Sequence, residues 1–324
     1  MSTLLNHKKI HIELSSKCTL KCPRCPRTEI SLDNLNKEIG LDVFKSAFSA
    51  DFLSTVDEIG FCGDIGDPVY AKDLLPIVEY IKQSSHTVIT IITNGSYKDT
   101  VWWQQLGSLL TERDFVVFSV DGWDQVSNQQ YRVNSDFDSI IAGARALRAN
   151  SDCTMIWSTI YFKFNELDIN KIRSLAKDMG FDIFKTVRSS KFDNRYAVNG
   201  VDQLKPVNSE FVATTTQYQS TIEHLSSRPR YPTKNYQSDS AHAWARCLRW
   251  HKEIFVNVEG MVFPCAWFNN AYMQNSFVVK HKDQININTR SLLDILQDPL
   301  WEELYLGFDN NPLEICQMKC KNAQ

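Results

Sequence analysis

The chain has 324 residues, 43% of them hydrophobic and 23% charged, with a formal net charge of −3. That is enough material for a large α/β domain with a smaller appendage, and it excludes a single small module or a chain dominated by disorder. With 35 Lys and Arg against 38 Asp and Glu there is no basic excess to meet a phosphate backbone, so no nucleic-acid partner is expected.

Residues 1–14 lack the apolar run of a secretory signal, and no stretch approaches the roughly 18 apolar residues of a membrane span. The expected location is therefore cytoplasmic, with no membrane partner. In that reducing compartment the nine cysteines read as metal ligands or catalytic groups, not as a disulfide framework.

Short β-branched runs alternate with helical-period segments from residue 8 to 187, the pattern of βα units and a parallel sheet. Six strands are predicted, over Lys8–Leu14, Val56–Phe61, Thr87–Ile92, Phe115–Val120, Thr154–Tyr161 and Phe181–Val187. Between them Phe137, Ile140, Ile141, Ala144 and Leu147, and again Ile169, Ile172, Leu175, Ala176 and Met179, repeat at helical spacing, so each helix lays one stripe on the sheet. Six units are too few for a closed eight-stranded barrel, which leaves a partial, open barrel or a doubly wound sheet. Residues 188–246 are polar and turn-rich and read as a bridge or lid. Residues 247–324 carry a strand pair, Ile254–Val258 and Met261–Pro264, about Glu259-Gly260, then a helix over Ser291–Leu306.

Directly after the first strand stands Cys18-Thr-Leu-Lys-Cys22-Pro-Arg-Cys25, a C-x3-C-x2-C loop. Three thiolates hold three corners of a cubane cluster and leave the fourth iron open to a ligand. The alternative is a zinc loop that borrows a fourth ligand, although zinc loops favour paired C-x2-4-C hooks. The loop, in this position, resembles the radical S-adenosylmethionine (SAM) superfamily. The resemblance implies a partial (β/α)6 TIM-like barrel and a [4Fe–4S] cluster on Cys18, Cys22 and Cys25. It further implies that SAM is split reductively to a 5′-deoxyadenosyl radical, with electrons from a donor such as flavodoxin or ferredoxin. Arg24 occupies the place of the family's usual aromatic residue near the adenine, where a guanidinium plane can also stack on a base.

Later strand ends resemble the family's SAM-binding turns. Cys62-Gly63-Asp64-Ile65-Gly66-Asp67-Pro68 is similar to the turn that receives the methionine amino group, with Asp67 in place of the usual Glu. Thr93-Asn94-Gly95 matches the ribose-side turn, and Ser119 and Asp121 with Arg132 match the residues that hold ribose and carboxylate. Taken singly, each of these is an ordinary turn former or a solvated arginine. Cys62 is also a candidate hydrogen donor to the SAM pocket, against the plainer reading of a small buried hydrophobe, which Cys153 shares. His251, four residues after Cys247, reads as a surface or capping histidine.

Cys247, Cys265, Cys316 and Cys320 remain, with Cys265 closing a Gly260-x4-Cys element. This set resembles the Twitch fold, the shorter relative of the SPASM extension, and implies a second, fully ligated [4Fe–4S] cluster; a four-thiolate zinc site fits the spacing as well. One auxiliary cluster is expected, because the chain ends four residues after Cys320. Division into 1–187, 188–246 and 247–324 follows. The favoured activity is a two-electron oxidation or bond formation on a small molecule, with the auxiliary cluster accepting an electron. The alternative is a peptide or protein maturase, disfavoured because only seven residues precede the first strand. A non-enzymatic iron–sulfur or zinc protein is the remote third.

Overall fold

The computed structural model describes residues 8–29, 35–192, 197–213, 219–228, 253–269, 276–304, 313–317 and 320. The chain falls into two compact units, one of residues 1–17, 32–90 and 232–324, the other of residues 18–31 and 91–231. Residues 193–196, 214–218 and 229–246 of the span expected as a bridge, and both Cys247 and His251, lie outside the described residues.

In the first unit β1 (Lys9–Ile12) lies between two parallel neighbours, β2 (Glu58–Phe61) and a later strand, Glu253–Val256. Its even positions, Ile10 and Ile12, are fully buried, as are Ile59 and Phe61 of β2 and Ile254 and Val256 of the later strand. In the same unit the helix Leu74–Ser84 buries Leu74, Ile77, Val78 and Ile81. The odd positions carry charge: Lys9 Nζ pairs with Glu58 Oε1 at 3.2 Å, and His11 Nδ1 with Glu253 Oε1 at 3.2 Å. β3 (Val88–Thr93) begins in this unit.

In the second unit β4 (Phe115–Ser119), β5 (Thr154–Ile160) and β6 (Ile183–Arg188) run parallel, in register at Val117 with Ile156 and Ile156 with Ile183. Their predicted limits differ from these by no more than two residues. Trp103 of the helix Thr100–Leu109 is fully buried, 5.1 Å from the Phe118 ring centroid. The facing helix, Phe137–Asn150, makes room with Gly143, where a Cβ would stand 2.3 Å from Trp103 Nε1. Three aspartates, Asp99, Asp124 and Asp136, start helices by accepting backbone N–H bonds from Trp102, Ser127 and Ser139.

Four features depart from the sequence reading. Within the polar stretch a hairpin forms from β7 (Ala197–Val198) and β8 (Val201–Asp202), turned by Asn199 and Gly200, both at positive φ. Further on, β9 (Gln219–His224) adds antiparallel to β6. Its composition is polar and most of it is exposed, so no alternation marked it. The C-terminal strand pair, β10 (Glu253–Val256) and β11 (Val262–Phe263), is antiparallel as expected, but β10 also extends the sheet beside β1. The helix predicted over Ser291–Leu306 is instead a short helix, Leu292–Leu296, capped by Ser291, with helix resuming over 300–304. Pro299, lacking an N–H and restricting the residue before it, accounts for the break.

Candidate functional site

In the second unit the cysteine loop packs into an apolar cluster. Leu20, Cys22, Tyr131 and Phe162 form its buried centre, and Cys18, Cys25, Ile160, Phe164, Phe192 and Leu204 pack against it. The Cys25 N–H bonds to the Cys22 carbonyl at 3.1 Å, which folds the last two thiols into a turn, and the short helix Pro26–Glu29 follows. Asn94 Nδ2 lies 3.7 Å from Cys18 Sγ, a weak N–H···S contact that joins the turn after β3 to the cysteine loop. That turn is self-braced, with Thr93 Oγ1 accepting from the Gly95 N–H and Asn94 Oδ1 from the Ser96 N–H. Gly95, at φ 74°, supplies the left-handed residue.

Beyond β4 the chain places Asp121 in full burial, where Oδ2 receives Arg132 Nε at 2.6 Å and Oδ1 receives the Ile160 N–H at 2.7 Å. Burial pushes the Asp121 carboxyl up, and the Arg132 guanidinium and that amide oppose it. Arg132 in turn faces Cys22: burial raises the Cys22 thiol, and the Arg132 charge and hydrogen bond work against the rise. Ser119 closes β4, partly buried. The sequence reading assigned Arg132 to a ligand carboxylate; the structure adds Asp121 and Cys22 as its neighbours within the chain.

Arg24 is 2% exposed and makes a salt bridge with Asp202 of the β7–β8 hairpin, while its guanidinium carbon lies 5.0 Å from the Phe192 ring centroid. Asp202, Phe192 and Phe162 all escaped the sequence reading. No local motif ties residue 24 to a partner 178 positions away.

In the first unit the Gly63–Asp67 turn follows β2. The Asp67 N–H bonds to the Lys17 carbonyl at 2.9 Å, and Asp67 Oδ1 accepts from the Val69 N–H at 3.1 Å, capping the short turn Pro68–Tyr70. Cys62 sits beside His11, whose imidazole is raised to about 10: burial opposes the charge, and Cys62 and Glu253 outweigh it.

The three C-terminal thiols among the described residues, Cys265, Cys316 and Cys320, belong to the same unit. Burial pushes Cys265 up to about 12, with the N–H groups of Trp267 and Phe268 opposing it and Cys320 adding to it. Cys316 is pushed up by burial, then by Cys265 and Cys320. Each thiolate therefore disfavours the others, the electrostatics of a gathered thiol set that a cationic centre would relieve. Among the described residues no three His, Cys, Asp or Glu side chains converge as ligands of a single ion would. The donor chemistry of both sets fits iron–sulfur clusters.

A parallel βα sheet with a C-x3-C-x2-C loop after its first strand, and a second thiol set beyond it, agrees with the fold that the sequence resemblance implies. Residues 247–321 match the family model of the SPASM domain, an iron–sulfur cluster-binding domain. Among solved structures, Streptococcus suis SuiB bound to S-adenosylmethionine is similar at a TM-score of 0.60 and 16% identity, covering 91% of this chain and 67% of that one. SuiB bound to its precursor peptide SuiA gives a TM-score of 0.58 at 16% identity, over 91% and 66%. anSMEcpe with bound AdoMet and the Cp18Cys peptide gives 0.53 at 15% identity, over 97% and 86%. The chain spans about two thirds of the length of SuiB. No curated protein matches the sequence. Among the described residues no helix is long and apolar enough to cross a membrane.

Proposed function

We propose that this protein is a radical SAM enzyme that binds one [4Fe–4S] cluster on Cys18, Cys22 and Cys25 and a second in its SPASM domain, and that it oxidises a peptide substrate. The observation that carries the reading is the packing of all three loop thiols against one buried cluster, with Arg132 beside Cys22. When bound and reduced, the first cluster supplies the electron that splits SAM into methionine and a 5′-deoxyadenosyl radical. The apolar surround of Leu20, Tyr131 and Phe162 keeps water from the thiols, and Arg132 offsets their negative charge. Cys265, Cys316 and Cys320, with Cys247, serve the second cluster, and an electron donor of the flavodoxin or ferredoxin type feeds the first.

For the substrate, support comes from SuiB and anSMEcpe, whose structures contain peptides. They move the reading from the small molecule that the sequence favoured toward its alternative, peptide modification. Reconstituted protein should hold about eight irons, from two four-iron clusters, and release 5′-deoxyadenosine from SAM under a strong reductant. A mixture of perdeuterated tryptic peptides then tests the substrate class, since abstraction from a peptide carbon transfers deuterium into 5′-deoxyadenosine. SAM cleavage without deuterium transfer would speak against peptides; no SAM cleavage at all would end the enzymatic reading.

A further inference from the structure

The turn after β2 is built around a carboxylate that the motif reading passed over. Glu13, one residue beyond β1, is 1% exposed. Its Oε1 accepts the N–H groups of Asp64 at 2.8 Å, Ile65 at 2.7 Å and Gly66 at 3.3 Å. Three successive amides aimed at one oxygen make an anion cradle, here filled from within the chain. Two glycines permit the shape: a Cβ on Gly63 would stand 1.9 Å from the Gly66 carbonyl oxygen, and one on Gly66 would stand 1.8 Å from that of Ser15.

The polarity of the turn follows. Its Asp64, Ile65 and Gly66 amides are taken by Glu13 and the Asp67 N–H by the Lys17 carbonyl, so what it can offer a ligand is an acceptor, the Asp67 carboxylate. A turn of that kind takes a cationic group and repels an anionic one. The second oxygen, Glu13 Oε2, is buried with no hydrogen-bond partner. Burial accordingly holds this carboxyl up at about 7, with the Ile65, Asp64 and Gly66 amides pulling the other way.

We propose that Glu13 is a positioning residue that sets the Gly63–Asp67 turn as an acceptor for the ammonium group of SAM. This rests on the reading above that the protein binds SAM. The role is exerted through the turn, not by contact with the reacting atoms. Glutamine at this position retains a carbonyl oxygen for the three amides, whereas alanine leaves them unpaired.

The test uses reconstituted protein, with SAM as titrant and hydrogen–deuterium exchange across residues 64–66. Glu13→Ala should lose amide protection there and weaken SAM affinity by about tenfold or more, the equivalent of one or two lost hydrogen bonds. Its rate of 5′-deoxyadenosine formation at saturating SAM should stay within about threefold of wild type, so that KM changes and kcat does not. Glu13→Gln should restore both protection and affinity. Should Glu13→Ala not fold, the Gln variant decides through exchange: loss of protection at 64–66 despite its carbonyl overturns the brace. A folded Ala variant that binds SAM as wild type does overturns the proposal alone. Wild-type protein that binds no SAM overturns the underlying reading and the proposal together.

Discussion

Arg132 Nε lies 2.6 Å from Asp121 Oδ2, and Asp121 is wholly buried while the Arg132 side chain keeps 16% exposure. The carboxylate is held twice over, by the guanidinium and by the Ile160 amide. The guanidinium is thereby fixed next to Cys22. An arginine that the motif reading assigned to a ligand is thus tied to the strand end and the cysteine loop of its own chain, and the pair joins β4, β5 and the thiol set.

Removing one member of such a pair strands the other. Asp121→Ala should destabilise the apo protein by about 3–5 kcal/mol, the range for breaking a buried ion pair. Asp121→Asn keeps an acceptor for the Ile160 N–H and should cost less. Thermal unfolding of the two variants side by side measures the difference. Equal midpoints for Asp121→Ala and wild type would show that the pair contributes nothing to folding.

Burial at Glu13 carries a sign that can be checked. Its carboxyl is raised by burial to about 7 from an ordinary 4.5, so the folded state binds more protons than the unfolded state between those values. Stability attributable to this group is therefore full below pH 4.5 and declines as pH rises through 7, by on the order of 3 kcal/mol. Glu13→Gln, which never ionises, should match wild type at pH 5 and unfold at a higher temperature than wild type at pH 8. A Gln variant less stable than wild type at pH 8 would mean that the charged form is favoured in the fold.

Cys153 is fully buried, and burial raises its thiol to about 11, with Ser151 and Arg148 opposing. Iodoacetamide reacts with thiolate, so at pH 8 the native Cys153 should be alkylated about a hundredfold more slowly than an ordinary thiol of pKa near 9. Peptide mapping after timed alkylation reads this directly. Rapid native labelling would contradict the burial and reopen a reactive role.

Much of this architecture was legible because the signals are local. β3 was predicted over Thr87–Ile92 and observed over Val88–Thr93, since its β-branched run allows little else. The three loop thiols stand within eight residues, so their chemistry is written in their spacing. What stayed hidden is long-range or polar. β9 shows no alternation, and β10 finds β1 from the far end of the chain. Arg24 meets Asp202 across 178 positions, and Glu13 acts on a turn 51 residues on through a single unremarked side chain.

If Cys18, Cys22 and Cys25 carry the cluster that cleaves SAM, replacing all three with alanine should remove about four of eight irons and all 5′-deoxyadenosine formation. The apolar surround of Leu20, Tyr131 and Phe162 remains, so the variant is expected to fold. Iron and sulfide analysis with chromatography of the nucleoside products settles it. Persistent 5′-deoxyadenosine from the triple variant would place SAM cleavage elsewhere.

The SPASM set calls for the opposite outcome. Cys265, partly buried, and Cys316, buried, lie within electrostatic reach of each other and of Cys320, in the unit that also holds β1 and β10. If all four thiolates, Cys247 with these three, close around a cluster, no iron is left open to SAM, and such a cluster would pass electrons or support the fold and not start the radical. A Cys316→Ala, Cys320→Ala variant should therefore keep about four irons and still cleave SAM. Its fold must be verified by far-UV circular dichroism and thermal unfolding, since losing a metal can unfold a small section around it. Deuterium transfer from peptide into 5′-deoxyadenosine should also persist, because abstraction precedes any electron acceptance. The oxidised product of the unlabelled peptide, which lacks two of its parent's hydrogen atoms, should disappear. A folded double variant with the first cluster intact but no SAM cleavage would assign the SPASM cluster a part in delivering the first electron. One that still makes oxidised peptide at the wild-type rate would leave it a structural role.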